Sequence, residues 1–538
     1  MSDVAAADGG REPEAAKDAT VGLASWAIAG VVALATFMEV LDTTIANVAL
    51  RYISGGLAVG PDEASWVVTS YLVANAISLT GSSFLAKRYG RKAFFMASVS
   101  LFTVSSIACG FAWSLESLLL FRVLQGLGGG GMAPLAQSIL ADAFPPAKRG
   151  QAFALYGIAV VVAPVVGPTL GGWLSDNVSW HWCFLINGPV GVIALGLMWW
   201  LLEDSKAAVA ERKRLKSEGV RFDVVGFLLV ATFLGALEVV LDEGLRDDWF
   251  DSRFIIAFTA IGAVAFVAMI PWCLRAKNPA VDFRLLATRQ FASCFVVMLA
   301  TGAILIATTQ FIPQIVQEQY GYTATLAGLV LAPGGVVTVM AMITAGRVSS
   351  KVQPKWMIAA GGVAIAYGMY SLTYLYNDTT YWYFVVSRIF VGAGLPFVFL
   401  SVTAASYYGI RPDQTDQASA LINMARNVGG SIGVCVAQNT LAHREQFHQS
   451  RLVEHADPSN PAYQEALRRA TELFSTHGDP ASAQSRAMGW IADQVQTQAA
   501  QFAYIDVFWT LALMAISVAP LAMILKSVPL GGARPAAH

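Results

Sequence analysis

The sequence predicts an all-α polytopic membrane protein of fourteen transmembrane helices, built as two six-helix bundles with two inserted helices between them. Three observations predict it: composition, the apolar runs, and the placement of basic residues. Of 538 residues, 56% are hydrophobic and only 13% charged, with a mean hydropathy of +0.55. Soluble domains carry about 25% charged residues, so this chain has too few charges to solvate a surface of its size. Fourteen apolar runs each approach the ~20 residues that a spanning helix needs. Lys and Arg then alternate in density from loop to loop, as membrane topology requires.

Six runs lie near 24–48, 65–85, 93–112, 117–140, 152–174 and 183–202. Two more lie near 224–241 and 254–274, and six near 291–313, 325–346, 357–376, 382–404, 417–440 and 503–525. Barrel strands are about ten residues long and alternate in polarity; these runs are longer and apolar all round. With both termini inside, 24 of the 35 Lys and Arg residues fall on the inner side, eight on the outer side and three within spans. One missed span would invert every later loop.

The division expected is a disordered cytoplasmic tail over 1–22, a first six-helix bundle over 23–203 and a cytoplasmic loop over 204–222. Two inserted spans follow over 223–275. A second bundle over 290–526 contains a long extracytoplasmic loop, 441–502, and a cytoplasmic tail closes the chain over 527–538. The insert is placed by an internal repeat. The fourth span carries Arg122, Gly126 and Gly128, the twelfth Arg388, Gly392 and Gly394, at identical spacing. Gly167, Gly171 and Gly172 in the fifth span answer to Gly429, Gly430 and Gly433 in the thirteenth. The other reading of the repeat is chance, since Gly is common in membrane helices. Parallel six-helix repeats around a midplane site are a transporter architecture.

Several function classes are set aside. A net charge of −1 gives no basic surface for nucleic acid. The five cysteines lie far apart in apolar runs, without metal or disulfide spacing. The six histidines fall in predicted loops or the tail, so no histidine relay is expected in the membrane. No G-x-x-x-x-G-K-[ST] stretch occurs, so no direct coupling to ATP is expected. No clustered nucleophile is found, so an enzyme is not expected, nor any cofactor.

Four stretches carry a resemblance. The first span holds LDTTIANVAL over 41–50; LAKRYGRK follows the second over 85–92; RVLQG opens the fourth over 122–126; and APVVGPTLGG lies in the fifth over 163–172. Together and in order, these resemble the major facilitator superfamily in its fourteen-span drug:proton antiporter branch, nearest to the EmrB-type pumps of the EmrB/QacA subfamily. The likeness covers nearly the whole chain. Lys87 stands where the general superfamily loop has Asp, Ser83 where it has Gly, and Arg51 where the first-span motif ends in Pro. EmrB-type pumps share Ala-Lys-Arg there, so an Asp-based gating salt bridge within that loop is not expected.

The resemblance implies a proton-coupled multidrug efflux transporter that exports hydrophobic or amphipathic toxic compounds, and so antibiotic resistance. It implies the bacterial inner membrane and a tripartite pump with a membrane-fusion adaptor and an outer-membrane channel. The alternatives are an exporter of one metabolite, or a solute:proton symporter, which the G-P-x-x-G-G stretch disfavours.

Charged groups inside spans cost about 2.5–3.5 kcal/mol each at a helix centre, so each needs a reason. Glu39 and Asp42 are three apart and share a helix face. Burial disfavours the charged form of a carboxyl, which suits it to loading and releasing protons. Asp42 is expected to couple protons, with Glu39 beside it for a second proton or for cation recognition; the plain alternative for both is a structural hydrogen bond. Arg122 stays charged and must find partners; the resemblance implies that it modulates a carboxylate, with Gln125 in the same network. Gln125, Asn75, Asn423 and Arg426 are cavity candidates. Arg388 and Arg426 are expected chiefly to make structural pairs. Glu238 and Asp242 either snorkel to the interface or attract cationic substrates. Lys87, Arg88, Gly90 and Arg91 form the gating loop, and Gly167, Pro168, Gly171 and Gly172 a packing motif that allows close helix approach. In the long loop, 463–474 reads as a helix and Asp479-Pro480 as the start of another, together a plausible docking surface for the adaptor.

Overall fold

The computed structural model describes residues 23–527, apart from positions 146–147, 205, 218–221, 278, 377, 412–413 and 477–481. The expected tails thus lie outside the described residues, save for position 527. The described chain is helical throughout, with no strand. The first bundle comprises α1 (Leu23–Leu57), α2 (Pro61–Tyr89), α3 (Arg91–Cys109), α4 (Leu115–Gly129), α5 (Met132–Ala143), α6 (Arg149–Asn177), α7 (Trp182–Leu185) and α8 (Asn187–Leu201). A surface helix, α9 (Lys206–Ser217), leads to the inserted pair α10 (Val224–Glu243) and α11 (Arg253–Arg275). The second bundle comprises α12 (Arg289–Glu318), α13 (Ala324–Val348), α14 (Pro354–Ser371), α15 (Tyr381–Ser406), α16 (Thr415–Val453), the short α17 (Pro461–Thr476) and α18 (Ala483–Met523).

Thirteen candidate spans are long and apolar enough to cross a membrane. They count α4–α5 and α7–α8 as one span each, because both pairs continue across a short break. The break in the fourth span falls at Gly130–Gly131, inside what reads as one run. The fourteenth span is α2. Its buried face carries Ser65, Thr69, Asn75, Thr80, Ser82 and Ser83, which lowers its hydropathy. Yet its 29 residues run unbroken between α1 and α3 with only short links, so α2 must return the chain across the bilayer. Local chemistry sets the boundaries: Ser114 caps α4 by accepting from the Ser117 amide at 3.3 Å, Pro61 opens α2, and Gly90 turns α2 into α3 at φ +99°.

The two bundles repeat one packing plan: α1 lies on α6 as α12 lies on α16, and α2 on α4 as α13 on α15. Across the seam, α13 and α15 pack on α6, and α16 on α2 and α5. The insert stands beside the seam. Here α10 packs on α2 and touches α16, while α11 packs on α10 and presents Val264 and Val267, each 70% exposed, outward.

The long loop over 441–502 differs from expectation. Most of it continues two spanning helices: α16 has 39 residues and α18 has 41. At 1.5 Å per residue each is about 60 Å long, twice a ~30 Å hydrocarbon core. The expected helix over 463–474 is present as α17, packed on α18. The second helix starts at Ala483 and does not end before the membrane; Asp479-Pro480 lies outside the described residues.

Candidate functional site

The site starts from one buried carboxylate. Asp42, 1% exposed on α1, accepts from Arg122 Nη1 at 2.6 Å, Gln125 Nε2 at 2.8 Å and Asn187 Nδ2 at 2.7 Å. Arg122 is fully buried. It also donates to the Gln125 side chain at 2.9 Å and, through Nε, to the Val67 carbonyl at 2.9 Å. Its guanidinium lies over the Tyr71 ring at 4.3 Å and the Phe184 ring at 5.5 Å. The geometry depends on Gly126: a Cβ there would meet the Tyr71 carbonyl, so glycine lets α4 approach α2 closely enough for Arg122 to reach α1. Pairing, further hydrogen bonds and the aromatic wall compensate most of the cost of burying this ion pair, though Arg122 Nη2 makes no hydrogen bond among the described residues.

Glu39, one turn away, faces elsewhere. It lines a cavity of about 680 Å³ between the two bundles. Its Oε1 accepts from Asn75 Nδ2 at 3.4 Å, and its Oε2 is buried without a partner. Asn75 in turn accepts from Asn427 Nδ2 at 3.4 Å. Arg426 also lines the cavity and donates to the Tyr156 hydroxyl and to Asn427 Oδ1, each at 3.3 Å. Asp42 is absent from the cavity lining. Shared helix face notwithstanding, Asp42 sits inside the first bundle and Glu39 looks into the cavity; Gln125, expected at the cavity, is bonded to Asp42 and is not in the lining.

The cavity reaches the end of the helices that carries Ser65, Arg246, Gln314 and Glu445. The opposite end is shut. Arg91 grips Asp416 of the second bundle at 2.9 and 3.1 Å and also pairs with Asp142 of the first. Behind it, Ser138 meets Ser419 at 2.9 Å, Asn423 donates to Gln137 at 2.9 Å, and Phe153 stacks on Tyr407 at 5.4 Å. Asn423, expected at the cavity, belongs to this seal. The gating loop thus does make salt bridges, although it lacks an Asp of its own; the acids come from α5 and α16. Gly90 supports it, since a side chain there would collide with Asp204. Lys87 and Arg88 sit in the last turn of α2, where basic charge suits the helix dipole.

Glu238 and Asp242 do not snorkel outward. Both line the cavity from α10. Glu238 is 6% exposed and accepts from Ser431 Oγ at 2.6 Å, while Asp242 accepts from Thr69 Oγ1. Gly167 and Gly171 seat α6 on α1: Cβ atoms there would strike Thr44 and, at 3.2 Å, the Ile45 carbonyl. Pro168 continues α6 with Pro164, both inside the helix. Arg388 is fully buried, yet no carboxylate among the described residues pairs with it. Its guanidinium donates to Thr308 and Thr309 at 3.3 and 3.5 Å, and its Nε has no partner. Sequence reasoning missed Asn187, Asp142, Asp416 and Glu243. Asn187 and Glu243, both buried, gave the only available signal: strongly polar side chains inside or at the edge of apolar runs.

Comparison with known proteins gives four likenesses. Residues 32–434 match the Major Facilitator Superfamily profile. The chain is 37% identical over 486 residues to "Multidrug export protein EmrB" of Escherichia coli strain K12, covering 88% of this chain and 90% of that protein. It is 36% identical over 445 residues to "Fatty acid resistance protein FarB" of Neisseria gonorrhoeae, covering 83% and 86%. Among solved structures, the proton:xylose symporter XylE bound to 6-bromo-6-deoxy-D-glucose superposes with a TM-score of 0.58 at 14% identity, over 92% of this chain and 96% of that one. That last likeness speaks to the fold alone.

Proposed function

We infer the function from one premise: this chain belongs to the major facilitator superfamily. It is a multi-pass membrane transporter of the multidrug efflux type. The cycle we propose exchanges protons for hydrophobic or amphipathic compounds that occupy the cavity between the bundles. One observation carries this reading: a carboxylate sealed with Arg122, Gln125 and Asn187 stands one helical turn from Glu39, which faces a cavity of about 680 Å³. Ligand pockets run from about 300 to 1,000 Å³, so a drug-sized molecule fits.

In this cycle Asp42 holds the proton. Protonation neutralises the partner of Arg122 and leaves the guanidinium short of charge, which favours rearrangement of α4 against α1. Proton loss restores the pair. A potential of 100 mV supplies about 2.3 kcal/mol per charge and one pH unit about 1.4 kcal/mol. For an uncharged cargo, one proton per cycle then supports a gradient of roughly several hundredfold, whereas a monovalent cation exchanged for one proton draws on the pH difference alone.

The Arg91 end is taken as cytoplasmic, since the basic residues gather there; the membrane is the bacterial inner membrane, and both termini face inward. The cavity then faces outward in the state described. The parts of α16 and α18 beyond the bilayer, with α17, project on the outer side and expose Val453, Leu473, Met488 and Trp490. We take this projection as the docking surface for a membrane-fusion adaptor.

The test is proton flux in proteoliposomes under an imposed pH gradient, with a panel of hydrophobic drugs added to wild type and Asp42→Asn. Drug-triggered proton release in wild type and none in the variant is expected. Equal release from both would remove Asp42 from the coupling step.

A further inference from the structure

The inserted pair, α10 and α11, adds more than lipid-facing surface. Six acidic or basic side chains line the central cavity: Glu39, Glu238, Asp242, Glu445, Arg246 and Arg426. Carboxylates outnumber guanidinium groups there. Arg246 is drawn off further, because its Nη1 donates at 2.7 Å to Glu243, a buried carboxylate just behind the wall. Two of the acids, Glu238 and Asp242, come from α10.

Glu238 is the most telling of them. It is nine-tenths buried, and among the described residues the Ser431 hydroxyl, not a cation, bonds to it. Across the same cavity Glu39 keeps one carboxylate oxygen buried and without a partner. Glu39 has the Arg426 charge near it, whereas among the described residues no cation bonds to Glu238; a buried carboxylate left so is costly, and a bound cation removes that cost. The position of Glu238 is built. One turn outward, Asp242 accepts from Thr69, and Glu243 accepts from Ser65 at 3.3 Å and Thr69 at 3.1 Å, which ties α10 to α2. On the other side the Ser431 bond ties it to α16. Apolar stretches of the wall, among them Leu72, Val160, Leu234, Leu305 and Met424, alternate with polar side chains such as Asn47, Gln310 and Gln438.

We propose that α10 builds a cation subsite into the cavity, in which the Glu238 carboxylate anchors the onium group of an amphipathic cation, Asp242 flanks it, and the apolar wall takes the hydrophobic body. The inference rests on the export reading only in taking the cavity as the place where cargo binds. It deepens that reading by naming the cargo that the insert selects.

The test compares binding of tetraphenylphosphonium with that of neutral triphenylphosphine oxide, by calorimetry on the purified full chain. Wild type is expected to bind the cation at least tenfold more tightly. Glu238→Gln is expected to lose about tenfold for the cation while the neutral probe stays within twofold. Equal affinities for the two probes in wild type overturn the proposal without recourse to any variant. Unchanged cation affinity in a folded Glu238→Gln protein overturns it too. Proton release in proteoliposomes separates the two readings. Release triggered by both probes, without a binding preference for the cation, overturns the subsite and leaves antiport. Cation binding lost in Glu238→Gln, without proton release from any probe, upholds the subsite and overturns antiport.

Discussion

The two bundles place an arginine at the same point and surround it differently. Arg122 is the eighth residue of α4, and Arg388 the eighth of α15. Asp42 is the twentieth residue of α1, and Thr308 the twentieth of α12. Tyr71, whose ring covers Arg122, is the eleventh of α2; Gly334, packed against Arg388, is the eleventh of α13. One half therefore holds a guanidinium with a carboxylate and an aromatic wall. The other holds a guanidinium with hydroxyls and a glycine. The lesson is that the two halves share helix register and packing, while only the first sets a carboxylate against this arginine. In the cycle proposed above, that asymmetry would place proton handling in one half and leave the other to move against it.

The largest effect that would break this comparison lies in the arginines. Removing one member of a buried ion pair costs about 3–5 kcal/mol, because the partner is left charged and unpaired. Arg122→Met is therefore expected to lower unfolding stability by about that much and to abolish drug-triggered proton release. Arg388→Met removes a buried charge that has no carboxylate. A buried charge without a paired carboxylate is costly, so its replacement by an apolar side chain should let the melting temperature hold or rise. Equal losses in the two variants, measured by thermal unfolding in the same detergent, would end the asymmetry.

The loops between the second and third helices of each bundle sharpen it next. Arg91 bridges both halves through Asp416, whereas Lys355, at the matching turn, is half-buried, lies over the Trp356 ring at 5.8 Å and donates to Ser527 at 3.4 Å. Arg91→Ala should weaken the closed end. A cysteine introduced at Gln137, in a background without the native cysteines, should then react with a membrane-impermeant maleimide at least tenfold faster from the Arg91 side. Lys355→Ala should leave the rate unchanged. Equal rates in wild type and Arg91→Ala would show that the polar seal behind Arg91 closes that end unaided.

Much of this architecture was legible in the sequence, because bilayer physics acts on whole segments. Span number followed from apolar runs and basic loops, and the repeat from Arg122 and Arg388. Side-chain facing was not legible. Glu39 and Asp42 share a helix face by spacing, yet α2 and α4 enclose one and the cavity receives the other. Glu238 read equally well as snorkelling, since nothing in α10 alone says that α16 stands opposite. The partners of Arg91 lie 51 and 325 residues away, beyond any local pattern. Lengthening of α16 and α18 past the membrane was hidden because their outer halves are polar, and polarity alone reads as loop.

Smaller effects test the shared packing rather than the asymmetry. Gly167 and Gly433 both seat one helix on another. A Cβ at Gly433 would lie 2.5 Å from the Ala303 backbone, which cannot yield, while at Gly167 it meets the Thr44 side chain. Overpacking costs about 1–3 kcal/mol, so Gly433→Ala should fall at the upper end of that range and Gly167→Ala at the lower. Reversal of that order in thermal unfolding would mean that α16 can shift on α12 more easily than α6 on α1.

The smallest effect belongs to the outer projection, which has no counterpart in the first bundle. On α17, Arg468 and Arg469 bond to Glu465 and hold its carboxyl at about 2, well below its ordinary 4.5. A carboxylate lowered in this way contributes above pH 4.5 and loses its contribution as pH falls towards 2. The group is fully exposed, where such pairs are screened and weak. Glu465→Gln should therefore leave the melting temperature at pH 7 within error of wild type, and any difference should vanish in acid. A clear loss at pH 7 would mean that α17 is held against α18 by charge. Since the projection is what an adaptor would meet, salt would then be expected to control docking as well.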